Sequence, residues 1–342
     1  MRSIFVRQIV RRDVFRPRSL PWVARIYKYP FERWSTPGRQ ALFGAPNLLL
    51  FYLYSRFVPF ASLGTMTVRC GSDEKVVRFN ARNTQFQAVY STRFRMGYEP
   101  QITALIDSLI TDSAVFLDIG SNWGWFAITV ASRPGFIGRV LAFEPFPSTF
   151  DDLRTTVDQS GLANRIECHQ AAVSDQIGEC GITLPDGVHS GLATLSAKPS
   201  KNKVRTLTLD SLNLPKVDVI KVDAEGSELK VFSGAERLLQ QQRPMLIFEN
   251  SRGSEEFESC LRPLLFLERL GYLFFQVGWM RQFEKKSCLV GDDADPEPQA
   301  DEALALARFE IGERGLLPQG LNVFACHRER LAQLTATFQP FG

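Results

Sequence analysis

From about residue 101 onward, short apolar runs alternate with amphipathic stretches along the chain. The runs AVFLDI, RVLAFEP, RIECHQAAV, VDVIKVD and PMLIFEN have the length and composition of buried strands. Between them, stretches such as QITALIDSLI, STFDDLRTTVDQSG and GSELKVFSGAERLLQQQ repeat apolar residues at helical spacing. YLFFQVG and LNVFACH read as the last two strands. Because strands that alternate with helices pair in parallel, the pattern predicts an α/β fold with a doubly wound sheet.

Other patterns interrupt this alternation or precede it. Polar alternation between the third and fourth strands predicts an inserted β-hairpin or small antiparallel extension. Residues 65–100 contain two short strand-like runs, and residues 1–64 are basic, aromatic and punctuated by proline. The acidic connection over 280–320 is expected to be mobile in part. The predicted organisation is therefore an N-terminal extension (1–64), a short β lead-in (65–100) and a main domain (101–342).

The charge is unevenly distributed along the chain. The net charge is +3, and residues 1–39 carry ten Lys or Arg against Asp13 and Glu32. Because the remainder is slightly acidic, the composition does not indicate a nucleic-acid partner. Six scattered cysteines without a CxxC pair favour a cytoplasmic location. The basic start is compatible with peripheral contact with an anionic membrane, with a transit peptide or with a solvated tail.

The stretch VFLDIGSNWGWFAITVA, residues 115–131, carries the main chemical signal. A strand ends at Asp118, and the chain then passes Gly120, Asn122 and Gly124 before a helix begins. Glycines allow a sharp turn that comes close to a bulky ligand. The GxGxxG spacing of dinucleotide-binding turns is missing, which argues against a nicotinamide oxidoreductase. An acid before the turn suits a ligand that bears an ammonium group better than one that bears a phosphate.

A second acid, Glu144, ends the next predicted strand. In a doubly wound sheet this position faces the ribose of a nucleoside, where a carboxylate can accept hydrogen bonds from both hydroxyls. A ligand with a ribose, an ammonium group and no phosphate describes S-adenosylmethionine. Together, the turn and Glu144 indicate this cofactor more strongly than either feature alone.

Several motifs resemble those of the FkbM-type methyltransferases, a family of S-adenosylmethionine-dependent O-methyltransferases. The resemblance covers roughly residues 95–275 and rests on YEP, FLDIGSNWGWFAI, AFEP, AAVSD, TLDSL, IKVDAEGSELKVFSGA and IFEN. It implies a class I methyltransferase (Rossmann-like) sheet of seven strands with the last one antiparallel. By the same resemblance, Asp118, Gly120, Asn122 and Gly124 would line the methionine end of the cofactor, Glu144 would hold the ribose, and Ala172 would lie near the adenine. Trp123 and Ser121 depart mildly from the family pattern.

The acceptor is expected across the carboxyl ends of the fourth and fifth strands, where Asp223, Glu225, Glu249 and Asn250 stand. This set looks like that of the metal-dependent catechol O-methyltransferases, which implies Mg²⁺ held by Asp223, Glu249 and Asn250. Alternatively, Asp223 or Glu225 acts as a general base without metal. His189 is a further candidate base, although a surface histidine is the simpler interpretation.

The family resemblance implies an O-methyltransferase whose acceptor is the hydroxyl of a small molecule, such as a sugar of a glycan, glycolipid or secondary metabolite. A second hypothesis is a non-catalytic cofactor-binding or membrane-associated scaffold on the same fold. A nicotinamide oxidoreductase is the third. Affinity for S-adenosylmethionine or for NAD separates the first from the third.

Overall fold

The computed structural model describes residues 3–22, 62–91, 94, 96–183, 194–196, 203–251, 257–283, 286–290 and 303–341. Eighteen strands are present in this part of the chain: β1 Ile4–Gln8, β2 Phe15–Ser19, β3 Leu63–Cys70, β4 Asp73–Asn80, β5 Val115–Ile119, β6 Arg139–Phe143, β7 Ile166–His169, β8 Ala172–Val173, β9 Gly178–Thr183, β10 Thr194–Ser196, β11 Lys203–Leu207, β12 Val219–Val222, β13 Met245–Glu249, β14 Tyr272–Phe283, β15 Lys286–Val290, β16 Ala303–Phe309, β17 Asn322–His327 and β18 Gln339–Pro340.

Eight α-helices lie in the same described ranges: α1 Gln87–Tyr90, α2 Pro100–Leu109, α3 Trp125–Ala131, α4 Pro147–Gln159, α5 Glu228–Ser233, α6 Glu236–Gln242, α7 Phe257–Arg269 and α8 Leu331–Thr337. The stretch GSELKVFSGAERLLQQQ, predicted as one helix, forms the two helices α5 and α6. They are separated at Gly234, where an added Cβ would lie 1.9 Å from the carbonyl oxygen of Ser174. Only glycine permits so close an approach, and the chain bends there.

The main sheet has the strand order β18-β1-β16-β14-β17-β13-β12-β5-β6-β7, with β15 paired to β14. The strands β7, β6, β5, β12 and β13 pair in parallel, as the alternation predicts. β17 runs antiparallel to both of its neighbours, β13 and β14. The predicted count of seven strands is too low, because β15, β16, β1 and β18 bring the described sheet to eleven.

The additional strands lie where the sequence pattern was hardest to read. β16, with the sequence ALALARF, is almost wholly buried, although it falls in the acidic connection that was expected to be mobile in part. β1 pairs antiparallel with β16 at the end of the sheet. β2 pairs with β3 in a separate three-stranded sheet, β2-β3-β4. Segments of the predicted N-terminal extension are therefore integral to two sheets.

The two faces of the parallel strands are covered by different helices. In β5, Phe116 packs in the core cluster that includes residues of α2, α3 and α4. Its neighbours Val115 and Leu117 pack in the cluster that includes residues of α5, α6 and α7. This alternation follows from the pleat of a strand, which sends successive side chains to opposite faces. The two hydrophobic layers leave the carboxyl ends of the strands open at one edge.

A third sheet has the order β10-β9-β11-β8. β9 and β10 pair antiparallel in the region where a hairpin insertion was expected, and β11 joins β8 in parallel. The run RIECHQAAV, predicted as one strand, is divided between β7 in the main sheet and β8 in this one. This division places Ala172 beside the ends of the parallel strands.

None of the helices in the described ranges combines the length and the apolar character that a membrane span requires.

Candidate cofactor and acceptor pocket

A cavity opens at the carboxyl ends of β5, β6, β12 and β13. Its wall consists of the turn after β5, the end of β6, residues 171–173, the loop after β12 and Glu249 at the end of β13. Tyr98, Trp123 and Trp125 contribute aromatic surface. The cavity therefore lies at the carboxyl ends of the parallel strands, which is where α/β sheets bind their ligands.

The turn after β5 requires glycine because it touches the neighbouring loop. Gly120 has a φ of +78°, and an added Cβ would lie 1.9 Å from the carbonyl oxygen of Asp223. Its backbone N–H donates to the carbonyl of Phe143 at the end of β6. Gly124 has a φ of +98° and precedes α3, where an added Cβ would crowd Leu153. Gly120 thus joins three strand ends, whereas Gly124 fixes the start of the helix without lining the cavity.

Asn122 lines the cavity and orders the centre of the turn. It has a φ of +49°, a left-handed conformation that asparagine tolerates better than most residues. Its side-chain oxygen accepts from the backbone N–H of Trp123 and from Nδ2 of Asn83, both at 2.9 Å. Its own backbone N–H donates to Oε2 of Glu144 at 3.0 Å. The turn and the acid at the end of β6 are therefore directly connected.

Glu144 is held by the backbone on both carboxylate oxygens. Oε2 accepts from Asn122, and Oε1 accepts from the backbone N–H of Phe146 at 2.9 Å. The side chain is only 6% exposed, and this burial raises its pKa to about 7 although both N–H donors oppose the rise. Each carboxylate oxygen can accept a further hydrogen bond. Ala172 lies in the same wall, as expected for a residue near the bound base.

Asp118 lies beneath the turn and outside the cavity wall. It is fully buried, and Oδ2 accepts from the backbone N–H of Ala127 in α3 at 3.1 Å. Oδ1 has no hydrogen-bond partner among the described residues. Burial raises the pKa of Asp118 to about 6, and nearby Lys221 opposes that rise. The structure thus places this acid where it holds α3 against β5, one layer below the residues that line the pocket.

The opposite wall carries the acids that were predicted as catalytic. Asp223, Glu225 and Glu249 all line the cavity. Oδ2 of Asp223 accepts from Nζ of Lys221 at 2.7 Å. Burial, followed by the charges of Asp223 and Glu249, raises the pKa of Glu225 to about 8. On this wall, the carboxylate of Asp223 is therefore ion-paired, whereas Glu225 has a pKa close to neutral pH.

The loop that carries Glu225 is closed by Glu228 from the start of α5. Oε1 of Glu228 accepts from the backbone N–H of Gly226 at 3.1 Å and of Ala224 at 3.3 Å. Glu225 has a φ of +46°, an uncommon conformation for this residue type. Glu228 therefore has the structural role that carboxylates usually take near a helix start.

Comparison with known proteins agrees with this geometry. Residues 118–274 match the family model described as the methyltransferase FkbM domain. Over this segment, the chain is similar to the FkbM methyltransferases. The match confirms the resemblance found in the sequence motifs, and it includes the glycine turn, Glu144 and the Lys221–Glu228 segment.

Individual relatives of the chain are distant. The hexuronic acid methyltransferase AglP of Haloferax volcanii is 27% identical over 192 residues, which cover 54% of this chain and 77% of AglP. The FkbM methyltransferase structure from Methylobacillus flagellatus KT is 18% identical with a TM-score of 0.36. That match covers 58% of this chain and 44% of the other. An O-methyltransferase from Bacillus cereus in complex with SAH is 16% identical with a TM-score of 0.33, and the match covers 61% of this chain and 80% of the other.

The predicted metal ligands of the FkbM domain do not come together. Asp223 and Glu249 line the cavity, but Asn250 is buried outside it. The amide of Asn250 donates to the carbonyl of Cys260 at 2.7 Å and accepts from Nε of Arg314. Within the described ranges, no group of three or more His, Cys, Asp or Glu could hold a metal ion. The structure does not support magnesium at this set, because the side chain of Asn250 is bonded to α7 and to Arg314.

Two residues that support the pocket were missed in the sequence. Lys221 precedes Asp223 by two residues, and its signal was a lysine within the otherwise apolar run VDVIKVD. Asn83 supports Asn122 and also donates to Asp152 at 3.2 Å, a long-range contact that no local pattern marks. His189 falls outside the described residues.

Proposed function

We propose that this protein transfers a methyl group from S-adenosylmethionine to a sugar hydroxyl. The observation that carries the proposal is Glu144, whose backbone-anchored carboxylate shares one cavity with Asp223 and Glu225. AglP, to which the chain is similar, acts on a hexuronic acid according to its name, which supports a sugar-type acceptor. The cofactor, when bound, supplies the electrophilic methyl group.

The residues fit the nucleoside part of this cofactor. Both oxygens of Glu144 keep acceptor capacity toward two ribose hydroxyls. Gly120 and Asn122 present backbone to the cavity beside it, and Ala172 leaves room for a base. Asp118 contributes by holding α3 and the turn in place, with its unpartnered Oδ1 as a further acceptor below the methionine end. These roles are proposals for each residue.

On the acceptor side, Glu225 is proposed as the general base. Its pKa of about 8 suits removal of a proton from a hydroxyl near neutral to mildly alkaline pH. Asp223, already paired with Lys221, would orient the acceptor through its remaining lone pairs. Because methyl transfer is an in-line displacement, the relative position of donor and acceptor supplies much of the rate.

The proposal can be tested with the full chain, isotopically labelled S-adenosylmethionine and a panel of hexoses and hexuronic acids. Transfer of label to at least one sugar is expected, and Glu225→Gln should reduce it strongly. Glu258→Gln, an exposed carboxylate at the start of α7, is the matched control. Binding of S-adenosylmethionine without transfer to any hydroxyl would favour the cofactor-binding scaffold instead.

A further inference from the structure

Lys221 is a buried ammonium group between the two halves of the pocket. It is 2% exposed, and its Nζ donates to Oδ2 of Asp223 at 2.7 Å. The same Nζ lies 4.9 Å from the ring centroid of Phe126 in α3. A lysine is almost never buried in this way unless it is paired. Asp223 follows β12 and Phe126 lies in α3, so the two contacts come from different parts of the pocket wall.

The strand register explains why this side chain reaches both halves. Lys221 in β12 is the register partner of Asp118 in β5. Its neighbours Ile220 and Val222 pack in the cluster of α5 and α6, so Lys221 points to the opposite face, that of α3. Asp118 points to this face too, since it accepts from Ala127 of α3. One face of two adjacent strands thus carries a buried cation beside a buried acid.

The charges around Lys221 come from every element packed on it. Asp118 lies on β5, Asp223 follows β12, and Glu99 precedes α2; Phe126 of α3 offers its ring. Farther out, Glu144, Glu225, Glu228 and Tyr98 interact with Asp223, and Glu249 interacts with Glu225, Glu228 and Tyr98. Among the described residues that line the cavity, Lys221 is the single lysine or arginine. One positive charge therefore balances a group of carboxylates.

The proton affinities of the neighbouring acids depend on this charge. Burial alone would lower the pKa of Lys221, but Asp223, Glu99 and Asp118 raise it above its ordinary value. In return, Lys221 lowers the pKa values of Asp118 and Glu225. The ammonium group stays charged, and without it these acids would hold their protons to higher pH.

We propose that Lys221 is a positioning residue of the methyltransferase site. It holds the carboxylate of Asp223 in place for the acceptor, and its charge compensates the charge of Asp118 beneath the turn after β5. The proposal rests on the function proposed above. Lys221 contacts no reacting group in this account and acts through the two acids. Its removal would leave two buried carboxylates on adjacent strands without their counter-ion, and the two walls of the pocket would lose their common anchor.

Lys221→Met separates charge from packing, because methionine preserves the apolar stem. We expect the drop in the urea unfolding midpoint to be at least about twice as large at pH 8.5 as at pH 5.5, since the acids are more ionised at high pH. Adding Asp223→Asn to this variant should restore part of the midpoint at pH 8.5. Lys230→Met, at an exposed lysine on α5, is the control and should show no pH-dependent loss.

A second measurement concerns the site itself. Calorimetric titration with S-adenosylmethionine at pH 7, in two buffers of different ionisation enthalpy, counts the protons released on binding. The Lys221→Met variant should release more protons on binding than the wild type. Without Lys221, Asp118 and Glu225 hold more protons before the cationic S-adenosylmethionine enters. A purely structural role would leave the proton count unchanged.

The two measurements distinguish the two proposals. Equal midpoint losses at both pH values, with no recovery from Asp223→Asn, would overturn the role of Lys221. An unchanged proton count would also overturn it. Absence of donor binding to the wild-type chain would instead overturn the proposed function, while the unfolding comparison would still decide whether Lys221 is the shared counter-ion.

Discussion

Two walls of the pocket are built in different ways: the donor wall, with Gly120, Asn122, Glu144 and Ala172, and the acceptor wall, with Lys221, Asp223, Glu225 and Glu249. Glu144 on the donor wall is fixed by backbone N–H groups of Asn122 and Phe146, and Asp118 beneath this wall is fixed by that of Ala127. On the acceptor wall, side chains hold one another: Lys221 pairs with Asp223. Backbone donors impose geometry through the fold itself, whereas an ion pair imposes it through charge. The turn after β5 should therefore respond most to changes of shape, and the Lys221–Asp223 pair most to the loss of a charge.

The largest effect is expected where the two walls touch. Gly120→Ala would drive a Cβ to within 1.9 Å of the Asp223 carbonyl and force a left-handed φ on alanine. We expect a loss of roughly 3 kcal/mol or more in the free energy of unfolding and loss of donor binding. Chemical unfolding and calorimetry measure the two losses. Gly71→Ala, also at positive φ but with open space around it, should cost only about 1 kcal/mol. Similar costs for both variants would contradict this account.

The acceptor wall is tested by Glu225→Gln. If Glu225 accepts the hydroxyl proton, methyl transfer should fall by about 100-fold, because general bases commonly contribute this much. The affinity for S-adenosylmethionine should stay within about threefold, since the donor wall is untouched. Steady-state rates and calorimetry are compared on the same preparation. A large loss of donor affinity with an unchanged rate at saturation would reverse the assignment of the two walls.

The donor wall is tested by Glu144→Gln. The substitution places an amide NH₂ against one of two backbone N–H donors and removes the charge that strengthens hydrogen bonds to the ribose. Donor affinity should fall by about 10-fold or more, on the scale of a hydrogen bond to a charged group. Calorimetry measures the change, with Glu167→Gln on β7 as the control. An affinity equal to that of the wild type would exclude Glu144 as a ribose ligand.

The smallest effect is a pH slope in the stability of the ligand-free protein. The folded-state pKa of Glu144 is raised to about 7, so the folded chain retains a proton that the unfolded chain loses above about pH 4.5. Stability from this group is therefore full below that unfolded-state value and decreases as pH rises toward 7. The slope from this one group is at most about 1.4 kcal/mol per pH unit, because it exchanges at most one proton. Glu144→Gln should flatten the urea-unfolding slope between pH 5 and 8, and identical slopes would contradict the buried, protonated state.

On the donor side, four of the six predicted residues line the cavity, whereas Asp118 and Gly124 lie behind it. Gly120, Asn122 and Glu144 occur in a local strand–turn–helix pattern, and backbone geometry of this kind leaves a signal in neighbouring residues. Ala172 was found only through its motif, because its strand divides between two sheets. Roles at these positions stay predictions until binding is measured.

The acceptor wall depended on contacts that no local pattern contains. Asn250 follows a strand end just as a metal ligand would, yet Arg314 and the carbonyl of Cys260 occupy its amide. Lys221 was read as part of an apolar run, and only the register with Asp118 reveals its position between two acids. In the fold, β1 and β16 were missed for the same reason, since their pairing joins segments far apart in the chain.

The most direct test of the central claim is calorimetric titration of the full chain with S-adenosylmethionine and, separately, with NAD. The account predicts binding of S-adenosylmethionine, no measurable binding of NAD, and loss of the former when Asp118→Asn and Glu144→Gln are combined. A wild-type chain without affinity for S-adenosylmethionine, or a double variant that binds it as tightly as the wild type, would contradict the account.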